Sequence, residues 1–249
     1  MAENSLIAWT THTWNPWVGC VRVSPGCQHC YAETLVKNRM GKPQLWGPKQ
    51  TATRQVKKDW SEPRRWAKKA TQAGERHRVF CGSLMDFFED HPIADATRPR
   101  VWEEIRNTPE LDWLLLTKRP ENIPDRLPSG WPFANVWLGT SIEDIKRCDR
   151  AQELVKTPAA VHFISAEPLL EDISEDLNLS DIEWLIIGGE SGPGWRPMKH
   201  EWARNLIAKC RQHNVAPFFK QSAAPRTEMG IEIGGFIIRE YPTPKRVAA

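Results

Sequence analysis

The sequence has no uninterrupted apolar run near the roughly twenty residues that cross a bilayer. Its opening Met1-Ala2-Glu3-Asn4-Ser5 has neither the basic start nor the apolar centre of a secretory signal. We therefore expect a soluble, cytoplasmic protein with no membrane partner, in which thiols stay reduced and metal ligation is favoured over disulfides. No internal repeat is evident, which argues against a solenoid or a propeller. Tyrosine is nearly missing, with two against thirteen tryptophans. Indole buries a large area while its N–H needs one partner, so most tryptophans are expected to be packing residues. Trp14 and Trp17, which flank Asn15-Pro16 just ahead of the first cysteine, are the expected exceptions. A second cysteine pair at knuckle spacing is also missing, so a four-cysteine zinc ribbon is excluded.

What is present is a concentration of sulfur. Cys20, Cys27 and Cys30, three of the six cysteines, fall within eleven residues. Thiolates held this close repel one another and oxidise readily, and a metal neutralises them. Cys27 and Cys30 have the two-residue gap that lets two sulfurs converge, and Pro25-Gly26 turns the chain back just before them. Three ligands leave a position open. Cys81, His12 and His29 are the candidates for a fourth donor, whereas Cys148 and Cys210 fall on helical stretches and read as small buried hydrophobes.

The run Thr13-Trp14-Asn15-Pro16-Trp17-Val18-Gly19-Cys20, continued by Ser24-Pro25-Gly26-Cys27 and Cys30-Tyr31-Ala32-Glu33, resembles the signature of a phage-associated three-cysteine-motif family of uncharacterised function. Members of that family are radical-SAM-like. Further matching pieces are Thr117-Lys118-Arg119-Pro120, Trp137-Leu138-Gly139, Ser165-Ala166-Glu167-Pro168-Leu169, Gly188-Gly189-Glu190-Ser191-Gly192 and Phe219-Lys220-Gln221, so the resemblance spans almost the whole chain. The first cysteine gap is six residues where the usual radical SAM pattern has three, and His29 stands where that pattern has an aromatic residue. The resemblance implies a [4Fe-4S] cluster on Cys20, Cys27 and Cys30, with S-adenosylmethionine on the remaining iron. Gly188-Gly189-Glu190 resembles the strand end that holds that cofactor's amino group, and Glu167-Pro168 keeps the acid and proline of the same motif. The resemblance also implies a partner protein encoded nearby.

Charge is unevenly spread. Residues 37–78 carry thirteen Lys or Arg and three acids, while the remainder holds twenty-one basic and twenty-eight acidic residues. Trp46, Trp60 and Trp66 lie among these cations, a composition suited to a phosphate backbone and stacked bases, with Lys57, Lys58, Arg64 and Arg65 as the candidate contacts. A solvated helix starting at Ser61-Glu62-Pro63 accounts for the same residues.

Beyond this block, short apolar runs at Arg78–Phe80, Trp113–Leu116, Val136–Leu138, Val161–Ile164, Trp184–Ile187 and Pro217–Phe219 read as strands buried on both faces. Helical stretches at Asp95–Asn107, Ser141–Lys156 and Met198–Asn214 alternate with them. With an initial strand at Ile7–Thr10, about seven parallel strands with right-handed crossovers result. The expected architecture is a single α/β domain over residues 1–249, a partial or complete (β/α) barrel resembling the radical SAM barrel. Residues 37–78 would form a basic helical insertion, Gly230–Glu240 a terminal β-hairpin, and Pro242–Ala249 a tail.

In such a fold the site lies at the carboxyl ends of the strands. Those positions hold Asp86, Thr117-Lys118-Arg119, Ser141, Ser165, Glu167, Gly188-Gly189-Glu190 and Lys220. Ser165, Glu167, Gly188, Gly189, Glu190 and Asp86 are the candidate cofactor contacts; Lys118, Arg119 and Lys220 are candidates for a substrate phosphate or carboxylate. The same cations can instead pair with the carboxylates as a structural network. Two functional readings follow. One is a radical enzyme acting on a nucleic acid or nucleotide; the other is a noncatalytic nucleic-acid-binding protein with a Cys3His zinc site or a closed cluster.

Overall fold

A computed structural model of the chain describes residues 2–245. Strand β1 (Ala2–Glu3) pairs antiparallel with β2 (His12–Trp14), and β3 (Trp17–Val18) pairs antiparallel with β4 (Gln55–Val56). Helix α1 (Tyr31–Thr34) lies between these last two and runs on as a π-helical turn to Arg39. There follow α2 (Glu62–Ala73), β5 (His77–Cys81), α3 (Pro92–Arg106), β6 (Leu111–Thr117), β7 (Val136–Ser141), α4 (Asp149–Leu154), β8 (Val161–Ala166), β9 (Trp184–Gly188), α5 (His200–His213) and β10 (Ala216–Gln221). The main sheet runs β1-β2-β5-β6-β7-β8-β9-β10. From β2 onward its seven strands are parallel and curl into a half-barrel.

Alternation along the strands divides the core. On β5, Phe80 points inside the curl while Val79 and Cys81 face the helices; on β9, Trp184 and Ile186 point inward and Leu185 and Ile187 outward. Both faces are covered, which is why these strands read as unbroken apolar runs. The inner cluster is strongly aromatic, with Trp9, Phe80, Trp137, Phe163, Trp184 and Phe218.

Trp9 explains one departure from expectation. Ile7–Thr10 is a turn, closed by Thr10 N–H donating to Ile7 O at 3.2 Å, and the first parallel strand is His12–Trp14 instead. The turn drops Trp9 into the curl, where its ring centroid lies 4.6 Å from that of Phe80 and 6.3 Å from that of Trp184. An apolar run here makes a plug, not a strand.

The sheet is open, so of the two barrel forms expected the partial one is found. Three other boundaries differ. Helix α2 is the crossover between β2 and β5 and not an insertion; it packs Trp66 on the His12 ring at 4.4 Å. Ser141 is the last residue of β7, in register with Ser165, and the helix expected from it is reduced to α4 after a 3-10 turn. The expected terminal hairpin is a tight turn at Gly234-Gly235, both at positive φ, and its returning arm lies along β10. There Phe219 N–H donates to Ile238 O at 2.7 Å and Glu240 N–H to Pro217 O at 3.1 Å. The arm covers the sheet edge and not the mouth. Trp14 and Trp17, expected to stand apart from the core, are fully buried in it. Pro242–Lys245 continue that arm without regular structure, and the last four tail residues lie outside the described ones. Among the described residues no helix is long and apolar enough to cross a membrane.

Two outcomes follow. Trp9→Ala empties the plug site and should cost about 3–5 kcal/mol in denaturant unfolding. His12 is buried beside His77, and burial first, then the His77 charge, hold its pKa down at about 4 from 6.5. The unfolded chain therefore takes up a proton that the folded chain refuses, so stability is full above pH 6.5 and is lost as pH falls toward 4. Unfolding free energies should drop by about 2 kcal/mol between pH 7.5 and 5 from this group, and the drop should shrink in His12→Phe.

Candidate functional site

The cysteine segment lies across the carboxyl mouth of the half-barrel because four strand ends bind it there. After β5, Leu84 O accepts from Gly19 N–H at 3.0 Å, and Ser83 O accepts from the Tyr31 hydroxyl at 2.6 Å. After β6, Arg119 donates to Val21 O at 3.0 Å. After β7, Glu143 Oε1 accepts from Gly26 N–H at 3.4 Å. After β9, Glu190 meets His29 Nδ1 at 3.0 Å. Gly19 is required at the entry: its φ is +125°, and a Cβ would stand 2.4 Å from Leu45 O.

Beneath the segment sits a buried ion pair. Asp86 accepts from Arg119 Nη1 at 2.5 Å, Thr117 Oγ1 at 2.6 Å, Lys118 N–H at 3.0 Å and Phe88 N–H at 3.0 Å. Burial alone would raise its pKa, but Arg119 and these hydrogen bonds hold it below the usual carboxylate range. Asp86 and Arg119 thus spend their polar atoms on the loop and its platform. A second buried pair, Arg54 with Glu89 at 2.8 Å, braces the same segment, since Glu89 also accepts from Trp17 Nε1 at 3.1 Å.

All three cysteines are free and partly exposed. Burial pushes the Cys20 and Cys30 thiols up; the charge of Arg119 opposes this at Cys20, and the backbone N–H groups of Glu33 and Ala32, then the Lys118 charge, oppose it at Cys30. Cys30 feels the charge of Cys27, and Cys20 that of Cys30. Arg22 completes the set of cations and is felt by Cys27 and Cys30. Among the described residues no three His, Cys, Asp or Glu side chains close around a single-ion centre. Of the fourth-donor candidates, His29 is on the loop, Cys81 is fully buried with its thiol pushed well up by burial, and His12 is engaged with His77 and Trp66.

The remaining mouth residues are placed as follows. Glu167 Oε2 accepts from Lys220 Nζ at 2.8 Å and Oε1 from Ser165 at 3.1 Å. Glu190 is clamped by the Arg196 guanidinium and backbone N–H; burial would raise its pKa, but these bonds and His29 hold it at about 2. The glycines bring chain against chain. A Cβ at Gly188 would stand 2.9 Å from Glu167 Oε2, and one at Gly189 would stand 2.1 Å from the Ala223 backbone nitrogen. Lys118 is half-buried and has no ion-pair partner among the described residues, although it feels Cys30 and Glu143.

The four candidate polyanion contacts of the basic block are otherwise engaged or exposed. Arg64 is bidentate on Glu104, Arg65 pairs with Glu3 at 3.8 Å, Lys57 pairs with Glu62, and Lys58 is exposed. Arg64 and Arg65 lie on α2, whereas Lys57 and Lys58 follow β4, where Lys57 N–H donates to Pro16 O at 2.8 Å. Sequence reasoning missed Arg196, Glu143 and Tyr31's anchoring role. A glycine-rich segment ending in Arg196 was the available signal for the first; Glu143 falls in the part of the expected helix ahead of α4 that stays non-helical.

A family model described as a protein of unknown function (DUF5131) matches residues 4–235. Neither a curated protein nor a solved structure matches the chain.

Removing one member of the Asp86–Arg119 pair strands the other's buried charge, so Arg119→Met should cost about 3–5 kcal/mol. Adding Asp86→Asn should recover part of that loss, a coupling readable in a double-mutant cycle of unfolding free energies.

Proposed function

The chain belongs to the DUF5131 family, a membership that leaves its activity open, and we propose that it is an iron–sulfur, S-adenosylmethionine-dependent enzyme of the radical SAM type acting on a nucleic acid or nucleotide. The observation that carries this reading is the cysteine loop held by four strand ends over the mouth of a parallel half-barrel.

The donor set fits the group. Three undisulfided thiols lie within reach of one another's charge, and Arg22, Lys118 and Arg119 offset the negative charge that thiolates and sulfides bring. Cys20, Cys27 and Cys30 would hold the cluster, which supplies the electron that cleaves the cofactor's sulfonium bond. The chain's own part is placement. Asp86 and Arg119 fix the loop from below, and Glu190 orients His29. Glu167, with Lys220 and Ser165, presents a carboxylate at the mouth suited to the cofactor's amino group. Gly188 and Gly189 let the supporting strands close up behind it. Lys118 offers a cation to a phosphate or carboxylate. The resemblance to phage-associated three-cysteine-motif proteins supports the same reading and adds a partner protein.

Anaerobically purified protein should be brown and hold about four irons and four sulfides per chain. Cys20→Ala, Cys27→Ala and Cys30→Ala should each lose the cluster absorbance, whereas Cys81→Ala, Cys148→Ala and Cys210→Ala should keep it. Reduced protein supplied with S-adenosylmethionine should release 5′-deoxyadenosine. A colourless protein with one zinc would replace this reading with the noncatalytic Cys3His site, for which His29 is the donor already oriented by a carboxylate.

A further inference from the structure

Most of the aromatic side chains are hidden, and two exceptions come to the mouth from different segments, Tyr31 directly after Cys30 and Trp195 after β9. Of thirteen tryptophans, Trp195 is the one whose exposure reaches 38% among the described residues; Tyr31 is 52% exposed. Both rings are held in place. The Tyr31 hydroxyl donates to Ser83 O at 2.6 Å, which leaves the ring outward directly after Cys30. Trp195 closes a turn that begins at Gly192 and passes through Gly194, both at positive φ, with Trp195 N–H donating to Gly192 O at 3.3 Å, and the next residue, Arg196, clamps Glu190. His29 joins the two sites: it bonds Glu190, and the position of a Cβ on Gly194 is 3.9 Å from its Cε1. Tyr31 is also close enough to Glu167 to feel its charge.

Exposing two large rings forgoes burial that nine other tryptophans and most phenylalanines obtain. Anchoring them outward costs nothing further in flexibility when a ligand arrives, which suits flat partners. Lys118, which has no ion-pair partner among the described residues, lies within electrostatic reach of Cys30 on the same rim. Aromatic platforms beside a cation are the combination that binds nucleotides through base stacking and phosphate contact. The basic block on α2 has no such exposed ring: Trp60 and Trp66 are buried.

We propose that Trp195 and Tyr31 form a stacking platform for a nucleobase at the mouth, so that the ligand is recognised by its heterocycle there and not by the cations of α2. This rests on the functional reading above for its substrate class. The heterocycle's source is either a strand of nucleic acid or a free nucleoside such as the cofactor's adenosine moiety.

The test uses purified full-length protein and fluorescence anisotropy with single-stranded DNA and RNA of about twelve nucleotides, the matching abasic strand, and adenosine as competitor. Base-bearing strands should bind at least about tenfold more tightly than the abasic strand, and Trp195→Ala and Tyr31→Ala should each remove about fivefold or more of that preference. Trp195→Phe should retain most of it, and charge reversal at Lys58, Arg64 and Arg65 should leave it intact. Adenosine competing in a Trp195-dependent manner, without strand binding, would assign the platform to a small nucleoside. Equal binding of base-bearing and abasic strands, binding indifferent to Trp195, or no binding of any probe would overturn the proposal. Iron content is read on every variant: an iron-free protein with Trp195-dependent binding sinks the cluster and keeps the platform, and the reverse result sinks the platform alone.

Discussion

The arrangement of the mouth hangs on a carboxylate and a guanidinium buried together. Asp86, after β5, grips the end of β6 through Thr117, Lys118 and Arg119, and Arg119 passes the grip on to Val21 in the cysteine loop. Each partner satisfies what the other's burial would otherwise leave exposed to a low-dielectric interior. The consequence is positional. Val21 is fixed next to Cys20, so the first sulfur takes its place from the sheet, while His29 and Glu190 fix the stretch before the last sulfur from the opposite side of the curl.

Much of this architecture was legible because buried parallel strands announce themselves. Six of the seven parallel strands fall on the apolar runs read from the sequence, and the polar residues after them do share one mouth. The misreading at Ile7–Thr10 has a physical origin: a plug and a strand need the same apolar residues, and only the Thr10 hydroxyl, bonded to His12 O and Arg78 O, marks the turn. Residues 141–156 read as one helical stretch, yet Glu143 near its start serves the loop and Arg150 instead. Local signals cannot distinguish a carboxylate that starts a helix from one that reaches across to residue 26.

The candidate site was legible as chemistry and illegible as wiring. Cysteine spacing marked the loop, and the strand ends marked its surroundings. What composition could not tell is which cations were already engaged. The basic block looks like a free polyanion surface in sequence, but Glu3, Glu62 and Glu104, distant in the chain or overlooked within it, neutralise several of its members. Conversely, Lys118 looked like one cation among several and stands out only once its neighbours are seen to be paired.

Among the described residues, the two margins of the curled sheet exchange no backbone hydrogen bonds. Side chains of the C-terminal arm span the gap near its base: the Tyr241 hydroxyl donates to Ala8 O at 3.2 Å, and the Arg78 guanidinium lies 3.9 Å over the Tyr241 ring. Such contacts are each worth about 1 kcal/mol, far less than a ladder of strand pairing. The wall is therefore compliant along one line and stiff everywhere else, so a bulky guest at the rim can be accommodated by spreading that seam while the sulfur-bearing side keeps its shape.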